Sequence, residues 1–214
     1  MYIRYHFLLI VFSTCISVKT IAQQTVSLNK ENLAAYNRNI TTTSNNGKTV
    51  VHLDNKANNG IAWINNVSFK QGILEFDVKG KDVLQQSFVG IAFHGINDTG
   101  YDAIYFRPFN FNSPDANRKD HSVQYISMPQ YDWSYLREKF PGKYENALTK
   151  AIEANSWFHA KVVVSADAIE VFVNGDNKPS LAVKPLNNYT TGKIGFWVGN
   201  NSDGDFSNLV IQSK

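Results

Sequence analysis

The sequence predicts an all-β protein, a two-sheet antiparallel sandwich with one short helix and one long ordered loop. Three observations carry this. Short β-type runs recur along the whole chain, clusters of Gly, Asn and Asp separate them, and helical periodicity is confined to a single segment. No repeat of about 20–50 residues is visible, which argues against a propeller or solenoid.

The chain of 214 residues opens with MYIRYHFLLIVFSTCISVKTIAQQ. A basic residue (Arg4), an apolar run from Phe7 to Val18 and a small residue at Ala22 have the layout of a secretory signal peptide cleaved after Ala22. The expected organisation is therefore a leader at 1–22 and one domain at 23–214, secreted or periplasmic. The apolar run falls short of the roughly 18 residues a membrane span needs. Phe12-Ser13-Thr14 before Cys15 is a poor lipobox, which argues against a lipoprotein.

Removing the leader removes Arg4, Lys19 and the one cysteine, leaving 19 Lys and Arg against 18 Asp and Glu. A nearly neutral chain gives no electrostatic case for a nucleic-acid partner. Without cysteine there are no disulfides, and a domain of this size buries enough surface to fold without them.

The strand runs begin with TVVHLD (49–54), GIAWI (60–64), GILEFDVKG (72–80), SFVGIAFHG (87–95) and YDAIYFRP (101–108). HSVQYIS (121–127), WFHAKVVVS (157–165), AIEVFVNG (168–175), SLAVKP (180–185), GKIGFWVG (192–199) and DFSNLVIQ (205–212) follow. Asn174-Gly175 marks a hairpin, because both residues tolerate positive φ. Ala147, Leu148, Ala151 and Ile152 in YENALTKAIEAN (144–155) have the spacing of one apolar helical stripe.

Side chains alternate across a strand, so each run divides into two faces. Joining SFVGIAFHG and YDAIYFRP through GINDTG puts Val89, Ile91, Phe93, Ile104 and Phe106 on one core face. The opposite face then combines Gly90, Ala92 and Ala103 with His94, Tyr101, Tyr105 and Arg107. Small residues ringed by large polar-tipped ones predict an open, concave face, with Pro108 ending the pairing. The segment 109–145 is long and rich in rings, amides and charges, which predicts an ordered loop walling that face.

GILEFDVKG, GIAFHG, WFHAKVVVSADAIEVFVNG and GKIGFWVGNNSDGDFSNLVI together resemble the strand series of the concanavalin A-like, laminin-G-like jelly rolls. More narrowly, the sequence resembles the secreted bacterial domains called 3-keto-disaccharide hydrolase-like, over most of 60–212. The resemblance implies a jelly-roll sandwich whose concave face meets glycans. The related β-glucanase branch carries three alternating acids on one strand. Here Glu75 and Asp77 are followed by Lys79 and Gly80. That departure counts against retaining glycosidase chemistry, which needs two carboxyls about 5–5.5 Å apart.

The expected ligand is an oligo- or polysaccharide. Arg107 can fork two donors onto vicinal hydroxyls or an anionic group, or form a structural ion pair with Asp115 or Asp120. Tyr101, Tyr105, Asn110, Gln124, Tyr125 and Trp133 supply the rest of the binding set. Tyr105, Tyr125 and Trp133 are candidate stacking rings for a pyranose. Trp63, Trp157 and Trp197 fall in regular runs and are expected in the core.

The alternative is an enzyme, a hydrolase or lyase, using His94, His121 and Asp102 as proton carriers. Glu138 and Glu145 are expected to be solvated. Asp203 and Asp205 in NNSDGDFSN have the composition of a calcium loop without EF-hand spacing, and an Asx turn explains them equally well. No cofactor is required otherwise, and no Cys or His cluster suggests zinc. The oligomeric state is not legible in the sequence.

Overall fold

GILEFDVK alternates buried and half-buried residues along its whole length, as a strand does when one face meets a core and the other meets solvent. The computed structural model describes Met1, residues 22–45 and residues 47–213. The expected leader falls outside the described residues apart from its ends, Met1 and Ala22. The strands are β1 (Ala22–Thr25), β2 (Leu33–Tyr36), β3 (Ile40–Asn45), β4 (Lys48–Lys56) and β5 (Gly60–Ile64). They continue as β6 (Gly72–Lys79), β7 (Val89–Gly95), β8 (Tyr101–Phe106), β9 (Val123–Met128) and β10 (Glu145–Asn146). The last are β11 (Phe158–Val164), β12 (Ile169–Val173), β13 (Leu181–Val183), β14 (Lys193–Val198) and β15 (Ser202–Ser213). Two short helices, α1 (Ala116–Lys119) and α2 (Trp133–Lys139), interrupt them.

Two antiparallel sheets result. The first runs β13-β12-β11-β6-β15-β4-β3, with β1 also paired to β15; the second runs β10-β9-β8-β7-β14-β5-β2. Their inner faces close on one another. Leu74, Phe76 and Val78 from β6 and Val89, Ile91 and Phe93 from β7 are fully buried. Phe196 of the second sheet stacks on Phe206 of the first, with centroids 4.7 Å apart. Each such ring contributes roughly 1.5–3 kcal/mol by leaving water.

The hairpin expected at Asn174-Gly175 joins β12 to β13, and both residues have positive φ (49° and 66°). The hairpin expected at GINDTG joins β7 to β8, with Asn97 Oδ1 accepting from the amides of Thr99 and Gly100.

The helix expected at 144–155 does not form. Tyr144 and the short β10 extend the second sheet beside β9, and Asn146 and Thr149 then hydrogen-bond Ser180. Ile152 and Ala154 are buried while Glu153 is exposed, so the apolar spacing serves an extended segment. The helices lie instead within the 109–145 segment, where Asp115 and Asp132 cap α1 and α2 through their side chains. Trp157 is not core either; it is 36 % exposed, with Lys48 Nζ 4.7 Å from its ring centre.

Candidate functional site

The outer face of the second sheet is organised by register. Tyr36, Ile61, Trp197, Gly90, Tyr105, Gln124 and Glu145 are successive partners across β2, β5, β14, β7, β8, β9 and β10. Gly90 has no side chain between its neighbours, and the Trp197 and Tyr105 rings meet with centroids 4.9 Å apart. A Cβ at Gly90 would clash with the Ile104 carbonyl oxygen and stand 2.6 Å from Tyr105 Cα. Phe88 packs edge-on to Tyr105 and to Phe109, at 6.1 and 5.5 Å.

Arg107 follows β8 on this face. Its amide still bonds the Ser122 carbonyl at 2.8 Å, and Pro108 then opens a 3-10 turn (Pro108–Asn110). The guanidinium donates to Tyr105 Oη at 2.6 Å, to the His121 carbonyl at 2.9 Å and to Gln124 Oε1. It reaches Glu145 Oε2 at 3.5 Å. Tyr105 Oη also donates to Gln124 Oε1 at 2.8 Å. Gln124 Nε2 is a buried donor with no partner among the described residues.

These groups lie within the protein. Tyr105, Arg107 and Gln124 are 2 %, 4 % and 0 % exposed, so the open hollow expected there is filled. The small residues Gly90, Ala92 and Ala103 are themselves buried. Burial pushes the Tyr105 hydroxyl up to about 12, against the opposing pull of Arg107.

Beside this buried network α2 packs on β9. Arg137 of α2 donates from Nε to Glu145 Oε1 at 2.9 Å and from Nη2 to Glu145 Oε2 at 2.7 Å. Its guanidinium carbon lies 5.3 Å from the centre of the Trp133 ring. Trp133 is 50 % exposed, whereas the Glu145 side chain is 2 % exposed. Tyr131, Tyr135, Phe140 and Tyr144 form a chain of ring contacts along α2.

Glu145 is therefore not solvated as expected. Burial alone would raise its pKa, but the hydrogen bonds and charge of Arg137, with Arg107 and His121, outweigh burial and hold it below the carboxylate range. His121 Nδ1 stands 2.9 Å from Glu145 Oε2 without hydrogen-bond alignment. Burial lowers the His121 pKa, Glu145 opposes this, and the nearby arginines add to it. Glu138 is exposed, as expected.

His94 and Asp102 belong elsewhere. His94 has φ 53° at a bulge, where β7 has one residue more than β14 between paired positions. The bulge breaks the alternation, and the imidazole stacks on Phe69 and packs against Phe93 rather than joining Arg107. Its Nδ1 meets Asp102 Oδ2 at 2.9 Å and its Nε2 meets the Lys70 carbonyl at 2.7 Å. Asp102 pairs with Phe93 across the sheet and so faces the interlayer side. There it also accepts from Tyr125 Oη at 2.8 Å and Asn187 Nδ2 at 3.1 Å. Tyr125 is fully buried and presents no stacking surface, and its pKa is raised by burial and by Asp102.

Tyr101 is on the outer face with its hydroxyl bonded by Trp197 Nε1 at 3.0 Å, and Asn110 is buried against the His121 carbonyl. Asp203 pairs with Lys81, and Asp205 with His52 Nδ1 at 2.7 Å. One oxygen of each carboxylate is thus engaged by a neighbouring side chain, and the described residues contain no cluster of three or more metal-binding side chains.

No protein-family model matches this chain, and no curated protein matches it. Solved structures do. The carbohydrate-binding module CBM66 from Bacillus subtilis superposes with TM-score 0.54 at 14% identity, covering 89% of this chain and 95% of the module. The exoplasmic/lumenal domain of VIP36 in its Ca2+/Man3GlcNAc-bound form gives 0.55 at 10% identity, covering 90% and 88%. The Bacillus licheniformis β-glucanase gives 0.51 at 14% identity, covering 90% and 92%. The chain has the concanavalin A-like jelly-roll fold. Identities this low speak for the jelly-roll backbone alone. Among the described residues no helix is long and apolar enough to cross a membrane.

What sequence reasoning missed beside α2 was Arg137 and the role of Glu145. They lie eight positions apart, and neither belongs to a motif. The one available signal was the amphipathic WSYLREK run after Asp132, a helix-capping residue.

Proposed function

We propose that this protein is a secreted glycan-binding domain, and that its ligand stacks on Trp133 and hydrogen-bonds the polar edge formed by Arg137 and His121. The observation that carries the reading is an exposed ring beside a guanidinium that is anchored on a buried carboxylate. Trp133 is half-exposed, and Arg137 beside it is fixed by two bonds to Glu145. A rigid ring with a neighbouring oriented guanidinium suits the C–H face and hydroxyls of a sugar at small entropic cost. Tyr105, Arg107 and Gln124 form the wall behind this edge, and Gln124 Nε2 is a further donor in that network. The similarity in fold to a carbohydrate-binding module and to a domain seen with Man3GlcNAc supports the choice of ligand class.

Binding is preferred to cleavage on the positions of the proton carriers. His94 and Asp102 share no face with His121. Glu145, held charged by two arginines, has no proton to give near neutral pH.

A glycan array followed by calorimetry on its best binder tests the reading, with reducing-end and unsaturated products assayed in parallel. Trp133→Ala should weaken binding by about 1 kcal/mol or more, the scale of a lost ring contact. Unchanged affinity in that variant overturns the site, and product release by the wild-type protein overturns binding as the whole function.

A further inference from the structure

On the outer face of the first sheet, three adjacent strands bring Lys79, Asp205 and His52 into one row. They form the floor of a hollow of about 410 Å3, completed by Lys81, Asp203 and Asn155. The walls are ordered. Asn155 Oδ1 accepts from the Asp82 amide at 2.9 Å, and Ser87 Oγ accepts from the Lys81 amide at 2.8 Å, which pins the segment after β6 over the floor. His52 Nδ1 faces Asp205 Oδ1 at 2.7 Å, a pair that does not engage the other ring nitrogen, Nε2. Lys81 is paired with Asp203, whereas Lys79 has no carboxylate partner among the described residues.

The charges select the ligand by exclusion. Two carboxylates disfavour an anion, two ammonium groups disfavour a cation, and Val83 is the one large aliphatic side chain in the lining. What fits is a neutral molecule rich in hydroxyls, each able to donate to a carboxylate and accept from an ammonium or imidazole. The size is in the range of small-ligand pockets. We infer that this hollow is a second saccharide-binding site, which takes one neutral sugar unit on the sheet opposite Trp133. The ligand class rests on the glycan-binding reading above, but the residues and the sheet are different. Two sites on opposite faces would let one molecule hold two glycan segments, which raises avidity without new contacts at either site.

Amide chemical shifts of the full-length mature protein, titrated separately with D-glucose, D-galactose, D-mannose and sodium sulfate, decide the matter. At least one sugar should shift the amides of Gly80, Asn155 and Gly204, and Asp205→Asn should weaken that response about tenfold. Shifts confined to the Trp133 region overturn the second site and leave the first. Shifts confined to Gly80, Asn155 and Gly204 overturn the first site and leave the second, and shifts at neither overturn both. A sulfate response equal to that of the sugars, or a sugar response unaltered in Asp205→Asn, overturns the assignment to neutral sugars held by this row.

Discussion

Arg137 grips Glu145 with two hydrogen bonds, at 2.9 and 2.7 Å, from a helix whose first residue is the exposed Trp133. Bidentate pairing of this kind fixes direction as well as distance. It couples a surface ring to a carboxylate that is sealed beneath it and shared with Arg107.

Arg137→Gln should therefore act on stability and on affinity together. Breaking a buried pair typically costs 3–5 kcal/mol, but Arg107 and His121 still face Glu145, so about 2 kcal/mol is expected. Urea unfolding should show a lower midpoint at unchanged slope. On the proposed glycan-binding reading, affinity should fall in the same variant, because α2 loses the anchor that orients Trp133.

Acid should weaken the fold through the same carboxylate. The Glu145 pKa is depressed in the folded state below its unfolded value of about 4.3. Its contribution is thus complete above that value and is lost as pH falls through the folded one. Asp77 adds in the same direction: burial would raise its pKa, but hydrogen bonds from His159 and Asn208 and the charge of Lys48 prevail. Stability measured from pH 6 down to about 3 should fall less steeply in Glu145→Gln than in the wild type, from a lower starting value.

Asp102→Asn separates a structural role from a proton-transfer role. The carboxylate accepts bonds from Tyr125 and Asn187 and contacts His94, and an amide cannot accept in all three directions. A loss of about 1–3 kcal/mol is expected, with glycan binding intact once the protein is folded. Full stability combined with loss of a sugar-directed activity would make Asp102 a proton carrier after all.

Gly90→Ala should be among the most damaging small changes. The added methyl meets the backbone of β8, which has no room to give way. A destabilisation of at least about 1–3 kcal/mol is expected by overpacking, read as a drop in thermal midpoint. Gly175→Ala, with open space around its Cβ position, should cost about 1 kcal/mol, set by its positive φ alone.

Much of the sandwich was legible because its strands alternate cleanly. GILEFDVK and FHAKVVV leave every second residue half-buried, and Asn174-Gly175 announces its own turn. The pairing of β7 with β8 was legible for the same reason. β3 was not, since ITTTSN has almost no apolar rhythm and its pairing with β4 makes it a strand. The site was half legible. Parity placed Tyr105 and Arg107 on the face opposite Ile104 and Phe106, where Trp197, expected in the core, joins them, but it carries no information about what overlies them. It failed at His94, where a bulge with positive φ in a non-glycine residue reverses the direction of the side chain. Glu145 and Arg137 were unreadable as a pair because only the docking of α2 brings them together.

The two strands nearest the carboxyl end, β14 and β15, lie in the middle of their sheets rather than at the margins. β15 is flanked by β6 and β4, and β14 by β7 and β5, partners made far earlier during synthesis. Until β14 and β15 are made, a nascent chain thus holds two half-layers with raw inner edges. Such long-range closure is slow, and it leaves apolar strands exposed while the cell waits for the last ones.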